Sequence, residues 1–197
     1  MPTTTEPSTQ RRILEASREL VVTHGYATLS TRKVAELAGV PLSQIHYHFG
    51  SKGQLVLATL DAENRRLVDR QAAMYASDEP FSRQWAVACD YLEADLASGY
   101  VRILQEMIAA GYSDFAIRSR VRDMITAWTD VIGEALRHHY RRGLTLGTLT
   151  VEQATALVAA IFMGAEVLLL TEQDSPEVPL ISAVRAVGDL IEAAEST

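Results

Sequence analysis

The stretch YATLSTRKVAELAGVPLSQIHYHFGSK, residues 26–52, reads as two short helices joined by a tight turn and followed by the start of a third. Ser30 is placed to cap the first helix, because its hydroxyl can accept a hydrogen bond from a free amide of the first turn. Gly39 is typical of a helix end that requires a positive φ angle. An apolar stripe at helical spacing lies between them, formed by Val34, Ala35 and Ala38.

A second helix is predicted from Leu42 to Phe49, with Ile45 and Phe49 turned inward. Small Ala35 allows the two helices to approach closely, Gly39 permits the turn, and Ile45 anchors the second helix to the first. Three such features at compatible spacing predict a helix-turn-helix, a motif whose second helix lies in the major groove of DNA.

These residues and their flanks closely resemble the TetR family of transcriptional regulators. The matching positions are His24-Gly25-Tyr26, Thr28, Ser30, Val34-Ala35, Ala38-Gly39-Val40, Tyr47-His48-Phe49 and Ser51-Lys52. The resemblance covers residues 10–60, and beyond them only the length and the helical layout match. Pro41 departs from the family, which usually has a polar cap there, so a cap from elsewhere is expected. Ser43 replaces the small residue that is most common in the family at this position, and adds a hydroxyl that can contact a base or a phosphate.

The chain of 197 residues is long enough for one large domain or two small ones. Its hydrophobic content of 48% is sufficient to form a buried core. We expect no membrane partner, since the apolar stretches look too short or too interrupted by charge to span a bilayer. The N-terminus lacks an apolar signal segment, and Cys89 is the only cysteine, so no intramolecular disulfide can form. A cytoplasmic location is expected.

The net charge of −7 is unevenly distributed along the chain. Residues 1–60 carry six Arg and Lys against four Glu, a balance of +2, and the remainder carries −9. A mildly basic N-terminal segment joined to an acidic remainder would orient the N-terminal segment toward phosphate.

The whole chain is predicted to be all-α, with about nine helices and no alternating strand pattern. An N-terminal three-helix helix-turn-helix domain is placed at residues 1–54, of which 1–9 form a disordered tail. A C-terminal helical domain for ligand binding and dimerisation is placed at residues 55–197. The first helix is expected from Thr9 to His24, and the fourth from a Ser51 cap to Tyr75.

The DNA-contact candidates lie on the second helix of the motif and its flanks. Gln44 can pair with adenine and Leu42 can touch a thymine methyl. The residues able to face the groove are Leu42, Ser43, Gln44, His46 and Tyr47. The residues read as phosphate contacts, which position the protein without specifying sequence, are Ser30, Thr31, Arg32, Tyr47, His48 and Lys52. The alternative is that His46, Tyr47 and His48 pack against the first helix.

No metal site, cofactor or catalytic residue is expected from the sequence. The pairs His46/His48 and His138/His139 have spacings that point the rings to different faces of a helix, and no Cys/His/carboxylate cluster has ligand spacing. Cys89 shares a helical stripe with large apolar residues, where a lone cysteine is usually a small core hydrophobe.

The resemblance implies a small-molecule cavity in the C-terminal domain, whose helices carry a surplus of large apolar side chains. The candidate lining residues are Trp85, Cys89, Leu92, Leu104, Met107, Met124, Trp128, Phe162, Met163 and Glu166, with Tyr91, Glu106 and Tyr112 as further polar groups. Ordinary core filling explains any one of them equally well. Glu166 could bind a cationic or hydroxylated ligand, or simply reach solvent.

The last two helices carry small residues at helical spacing, and in the TetR family these helices form a four-helix dimer interface. The small residues are Ala156, Ala160, Gly164, Ala183 and Ala186. The resemblance therefore implies a homodimeric, ligand-responsive repressor that releases a palindromic operator on binding a small, largely apolar effector. Two alternatives stay open: a corepressor-dependent regulator or activator of the same fold, and a small all-α enzyme using Glu106 or Glu166 as acid/base.

Overall fold

The computed structural model describes residues 8–196, and within them every regular element is an α-helix. The predicted all-α class is therefore confirmed. The nine helices of this part of the chain are α1 Thr9–Thr28, α2 Thr31–Ala38, α3 Leu42–Phe49, α4 Lys52–Tyr75, α5 Phe81–Ala97, α6 Tyr100–Gly111, α7 Phe115–Arg141, α8 Val151–Leu170 and α9 Leu180–Glu195.

The helices group into two compact units. The first holds the described residues up to Asn64 together with Arg102–Arg122, and the second holds Arg65–Val101 and the described residues from Asp123 onward. The functional division between residues 54 and 55 stays a prediction, since these units are not separated by a single cut in the chain.

The first unit contains the helix-turn-helix, whose helices surround a small apolar core. The α2 cap forms as predicted, because the Lys33 amide donates to Ser30 Oγ at 3.2 Å, and Gly39 ends α2 with a φ of 63°. Ile45 is fully buried and anchors α3, whereas Phe49 is only half-buried. The tail prediction is wrong at its end, because Ser8 caps α1 and Thr9 begins it; residues 1–7 lie outside the described residues.

The second unit packs α5 against α9 and α8. The Trp85 indole is fully buried and donates to the Val184 carbonyl at 2.8 Å. Gly188 makes room for this ring, since a Cβ there would lie 3.3 Å from Trp85 Cδ1. At the start of α5 the carboxylate of Glu195 accepts from the Ser82 amide and hydroxyl, and so supplies the cap that Pro80 lacks.

Helix α8 corrects one expectation from the sequence. By length and composition it could cross a membrane, with a mean hydropathy of 1.9 over its best window, of which 28% is buried. The expectation that no stretch qualifies is therefore wrong. One face of the helix is nevertheless packed inside the second unit, through Ala154, Val158, Phe162 and Ala165.

Candidate nucleic-acid interface and apolar core

The outer face of α3 carries polar and aromatic side chains that contact little of the protein. Tyr47 is 81% exposed, and Leu42, Ser43, His46 and His48 are also exposed, while Gln44 is half-buried. This exposure does not fit the alternative in which His46, Tyr47 and His48 pack against α1. A buried anchor and an exposed polar face are the arrangement that a helix needs to enter a groove.

The start of α3 has no side-chain cap, contrary to the expectation that another residue would replace the one missing at Pro41. The Pro41 carbonyl instead accepts from the Gln44 amide at 2.9 Å, which closes the first turn through the backbone. The amides of this turn are therefore left without a side-chain acceptor.

The residues read as phosphate contacts differ in how firmly the protein holds them. Arg32 is highly exposed and lies 3.9 Å from Glu36, which makes only a loose surface pair. Lys52 is held more firmly: its Nζ donates to the Ala27 carbonyl at 3.2 Å and lies 4.5 Å from the centre of the Tyr26 ring. Such a cation–π contact fixes an ammonium group near one position.

Five of the ten predicted ligand residues meet in the second unit. Trp85, Cys89, Leu92 and Phe162 belong to its buried apolar cluster, and Trp128 packs against them. The Phe162 ring lies 5.2 Å from Trp85 and 6.4 Å from Trp128, both edge to face. Burial raises the pKa of the Cys89 thiol to about 11, so this thiol is a protonated core group at neutral pH.

The other five predicted residues are placed differently. Leu104 and Met107 are buried in the first unit, Met124 is buried in the second, and Met163 and Glu166 are half-buried on α8. Two surface clefts of the second unit, about 320 and 530 Å³ in volume, border α7 residues such as Asp130 and Arg137, and neither is lined by any of the ten.

Two of the polar groups predicted for the ligand region lie away from the aromatic cluster of the second unit. Glu106 lies in the first unit, where its carboxylate accepts from the Tyr26 amide, and Tyr112 is 77% exposed. Neither marks the aromatic cluster of the second unit.

Two polar side chains of α4, neither of them predicted from the sequence to be functional, make contacts within the second unit. Gln71 Oε1 accepts from the Trp128 indole at 2.8 Å. The Arg70 guanidinium bonds Asp95 at 2.9 Å and stacks 3.8 Å from the centre of the Tyr91 ring. This part of α4 is densely charged, which predicts a solvated surface. Only the helical spacing of Arg70 and Gln71 from the apolar Leu67 and Met74 could have indicated that they contact the protein.

Helices α8 and α9 leave an apolar face open on the protomer. Leu190 is 71% exposed and Leu157 is 50% exposed, with Val167 and Leu168 exposed beside them. A Cβ added to Gly164 would meet no neighbouring atom within 4 Å among the described residues. The sequence singled out the small residues of this face, Ala160 and Gly164 among them, but not the large ones.

Three comparisons place the chain among known proteins. Residues 13–59 match the family model described as bacterial regulatory proteins, tetR family. An uncharacterized HTH-type transcriptional regulator from Mycobacterium tuberculosis is 24% identical over 187 residues, covering 91% of this chain and 94% of that protein.

Two solved structures show the same fold over nearly the whole length. FadR from Bacillus subtilis, in complex with stearoyl-CoA, has a TM-score of 0.75 at 15% identity and covers 92% of this chain and 96% of its own. A transcriptional regulator from Saccharomonospora viridis, in complex with choline, has a TM-score of 0.75 at 22% identity and covers 93% and 95%.

The family model falls on the helix-turn-helix described above, and the relatives match the chain beyond it. These relatives are regulators and not enzymes, so the acid/base reading of Glu106 and Glu166 is withdrawn. The chain is a DNA-binding transcriptional regulator, and its residues 13–59 match the tetR family of bacterial regulatory proteins.

Proposed function

We propose that this regulator is a homodimeric repressor that releases a palindromic operator when it binds a small, largely apolar effector. The observation that carries the proposal is the outward face of α3, polar and exposed above the buried Ile45 anchor. Gln44 and Leu42 read base edges in the major groove, together with Ser43, His46 and Tyr47. Phosphates are bound by Ser30, Thr31, Arg32, His48 and Lys52. As a DNA-binding protein, the regulator would act in the cytoplasm.

The open face of α8 and α9 supports a homodimer. Exposed leucines and small residues share this face, and Gly164 allows a second backbone to approach closely. An isologous dimer presents two recognition helices related by a twofold axis, which demands an operator of the same symmetry.

The aromatic cluster of the second unit supports an apolar effector. Trp85, Phe162 and Trp128 form apolar walls, and Gln71, which bonds the Trp128 indole, adds a polar group at their edge. Two proteins of this fold were crystallised with stearoyl-CoA and with choline. An effector that prefers one spacing of the two recognition helices shifts the dimer toward it, and weakens operator binding by its differential affinity.

The test begins with selection of a duplex from a random pool, followed by titration at several salt concentrations. Tyr47→Ala should reduce affinity for the selected palindrome and leave binding to random DNA nearly unchanged. Arg32→Ala should weaken binding to all sequences alike and lower the salt slope by about one unit per protomer.

Arg83→Ala is the matched control, because Arg83 is an exposed arginine on α5, in the second unit. Selection of no symmetric sequence, or equal losses for Arg83→Ala and Arg32→Ala, would contradict the proposal. An effector that tightens operator binding would establish the corepressor-dependent alternative.

A further inference from the structure

Helix α1 is broken at Gly25, whose φ of 80° and ψ of 160° are not helical. A side chain other than hydrogen is rarely tolerated at such angles. The break removes the helical bond that the Tyr26 amide would give to the Val22 carbonyl. The Tyr26 amide and the Val22 carbonyl are thereby left without their helical partners, and a backbone group that is shielded from water without a partner is costly.

Both halves of this broken bond are taken by one pair of side chains on α6. The Tyr26 amide donates to Glu106, and Arg102 Nη1 donates to the Val22 carbonyl at 3.1 Å. Arg102 and Glu106 also pair with each other at 3.3 Å, one turn apart on α6. Gly25 admits the pair, because a Cβ there would lie 3.1 Å from Glu106 Oε1.

The kinked end of α1 leads directly to a DNA-contact candidate. Its Tyr26 ring lies under the Lys52 ammonium, and its Ala27 carbonyl accepts from the same group. The Tyr26 carbonyl also accepts from the Leu29 amide at 3.3 Å, just before the Ser30 cap of α2. The position of the kink therefore sets the position of Lys52 and of the chain entering the helix-turn-helix.

We propose that Arg102 and Glu106 are positioning residues for DNA binding, which act by holding the kink of α1 through its two freed backbone groups. The proposal rests on the proposed function, since it assumes that Lys52 binds phosphate. The ion pair itself is half-exposed, and exposed pairs contribute little. The two bonds to the α1 backbone carry the effect.

The test compares variants that keep or lose those bonds. Glu106→Gln retains a carbonyl oxygen for the Tyr26 amide, whereas Glu106→Ala removes the acceptor. The double exchange Arg102→Glu with Glu106→Arg restores an ion pair but presents a cation to the Tyr26 amide and a carboxylate to the Val22 carbonyl. Glu134→Ala on α7, which breaks a 3.0 Å pair with Arg137 in the second unit, is the matched control.

We expect Glu106→Ala and the double exchange to bind the selected operator about tenfold more weakly, within the usual range of coupling between sites. Glu106→Gln should lie between them and wild type, and Glu134→Ala should match wild type. In the Lys52→Ala background the loss caused by Glu106→Ala should shrink, because the two residues act through one contact chain. Wild-type affinity for Glu106→Ala, full rescue by the double exchange, or equal losses in both backgrounds would overturn the proposal.

Hydrogen–deuterium exchange of residues 22–29 provides a readout that needs no DNA. Glu106→Ala should speed exchange in this segment, and Glu134→Ala should not. Unchanged exchange would overturn the positioning role whatever the operator data show. If wild type selects no operator while the exchange result holds, then the proposed function fails and the holding of the kink stands.

Discussion

Leu190→Glu tests the dimer face of α8 and α9, and its effect can be estimated from exposure. Leu190 is 71% exposed on the protomer, so the substitution removes almost no contact within one chain and should change protomer stability by less than about 0.5 kcal/mol. In an isologous dimer the same leucine is buried twice. At about 1.5–3 kcal/mol for each buried leucine, the dimer loses about 3–6 kcal/mol, which raises its dissociation constant by roughly 10² to 10⁴.

Sedimentation equilibrium over a range of protein concentrations measures that shift directly. Leu37→Glu is the control, since Leu37 is 47% exposed on α2, outside the proposed face. Gly164→Leu should also weaken the dimer, and a leucine there fits the protomer because the space beside Gly164 is open. A monomeric wild-type protein would refute this interface. So would Leu190→Glu and Gly164→Leu variants that dimerise as tightly as wild type.

Two further predictions concern the second unit. Effector binding should change tryptophan fluorescence at the effector concentration that releases the operator. Trp128→Ala should raise that concentration by a larger factor than it weakens DNA binding. If Trp128→Ala lowers only the stability of the protein, Trp128 is a core residue and does not bind the effector. The unfolding free energy should fall from pH 7 to pH 5, because burial, reinforced by His138 and Arg142 against Glu195, lowers the pKa of His139 below its ordinary 6.5, so that the unfolded chain takes up the proton first. Urea denaturation should show a smaller fall for His139→Gln, whose side chain can still donate to Gln84 as His139 Nε2 does at 2.9 Å, and an identical fall would show that other groups govern it.

The helix-turn-helix could be predicted because its determinants are local. Ser30, Gly39 and Ile45 act within one or two turns of their own position, through a cap, a positive φ angle and an apolar anchor. The ends of α3 followed from the same signals. The packing of Cys89 into the apolar core was also predictable from its stripe.

What the sequence could not indicate depends on contacts between distant residues. Glu106 was assigned to the ligand region from its helix, yet its partner Tyr26 lies 80 residues away. Gly25 read as the end of α1, because a kink that the chain crosses and a helix end have the same local pattern. The charge of this part of α4 favours a solvated surface, and only tertiary packing places Gln71 beside Trp128 and Arg70 on the Tyr91 ring.

Helix α8 shows how a composition suited to a membrane can arise from two separate demands. Its Phe162 ring lies in edge-to-face contact with Trp85 and Trp128, and Val158 and Ala165 belong to the same core. Withdrawing α8 into a bilayer would expose that core, so this face commits the helix to its own protomer. The opposite face has no such partner among the described residues around Gly164, and a helix that is apolar on most of its circumference is normally buried on most of it. A second copy of α8 and α9 supplies the same leucines and small residues in return, and thus accounts for the half of the helix that one protomer leaves open.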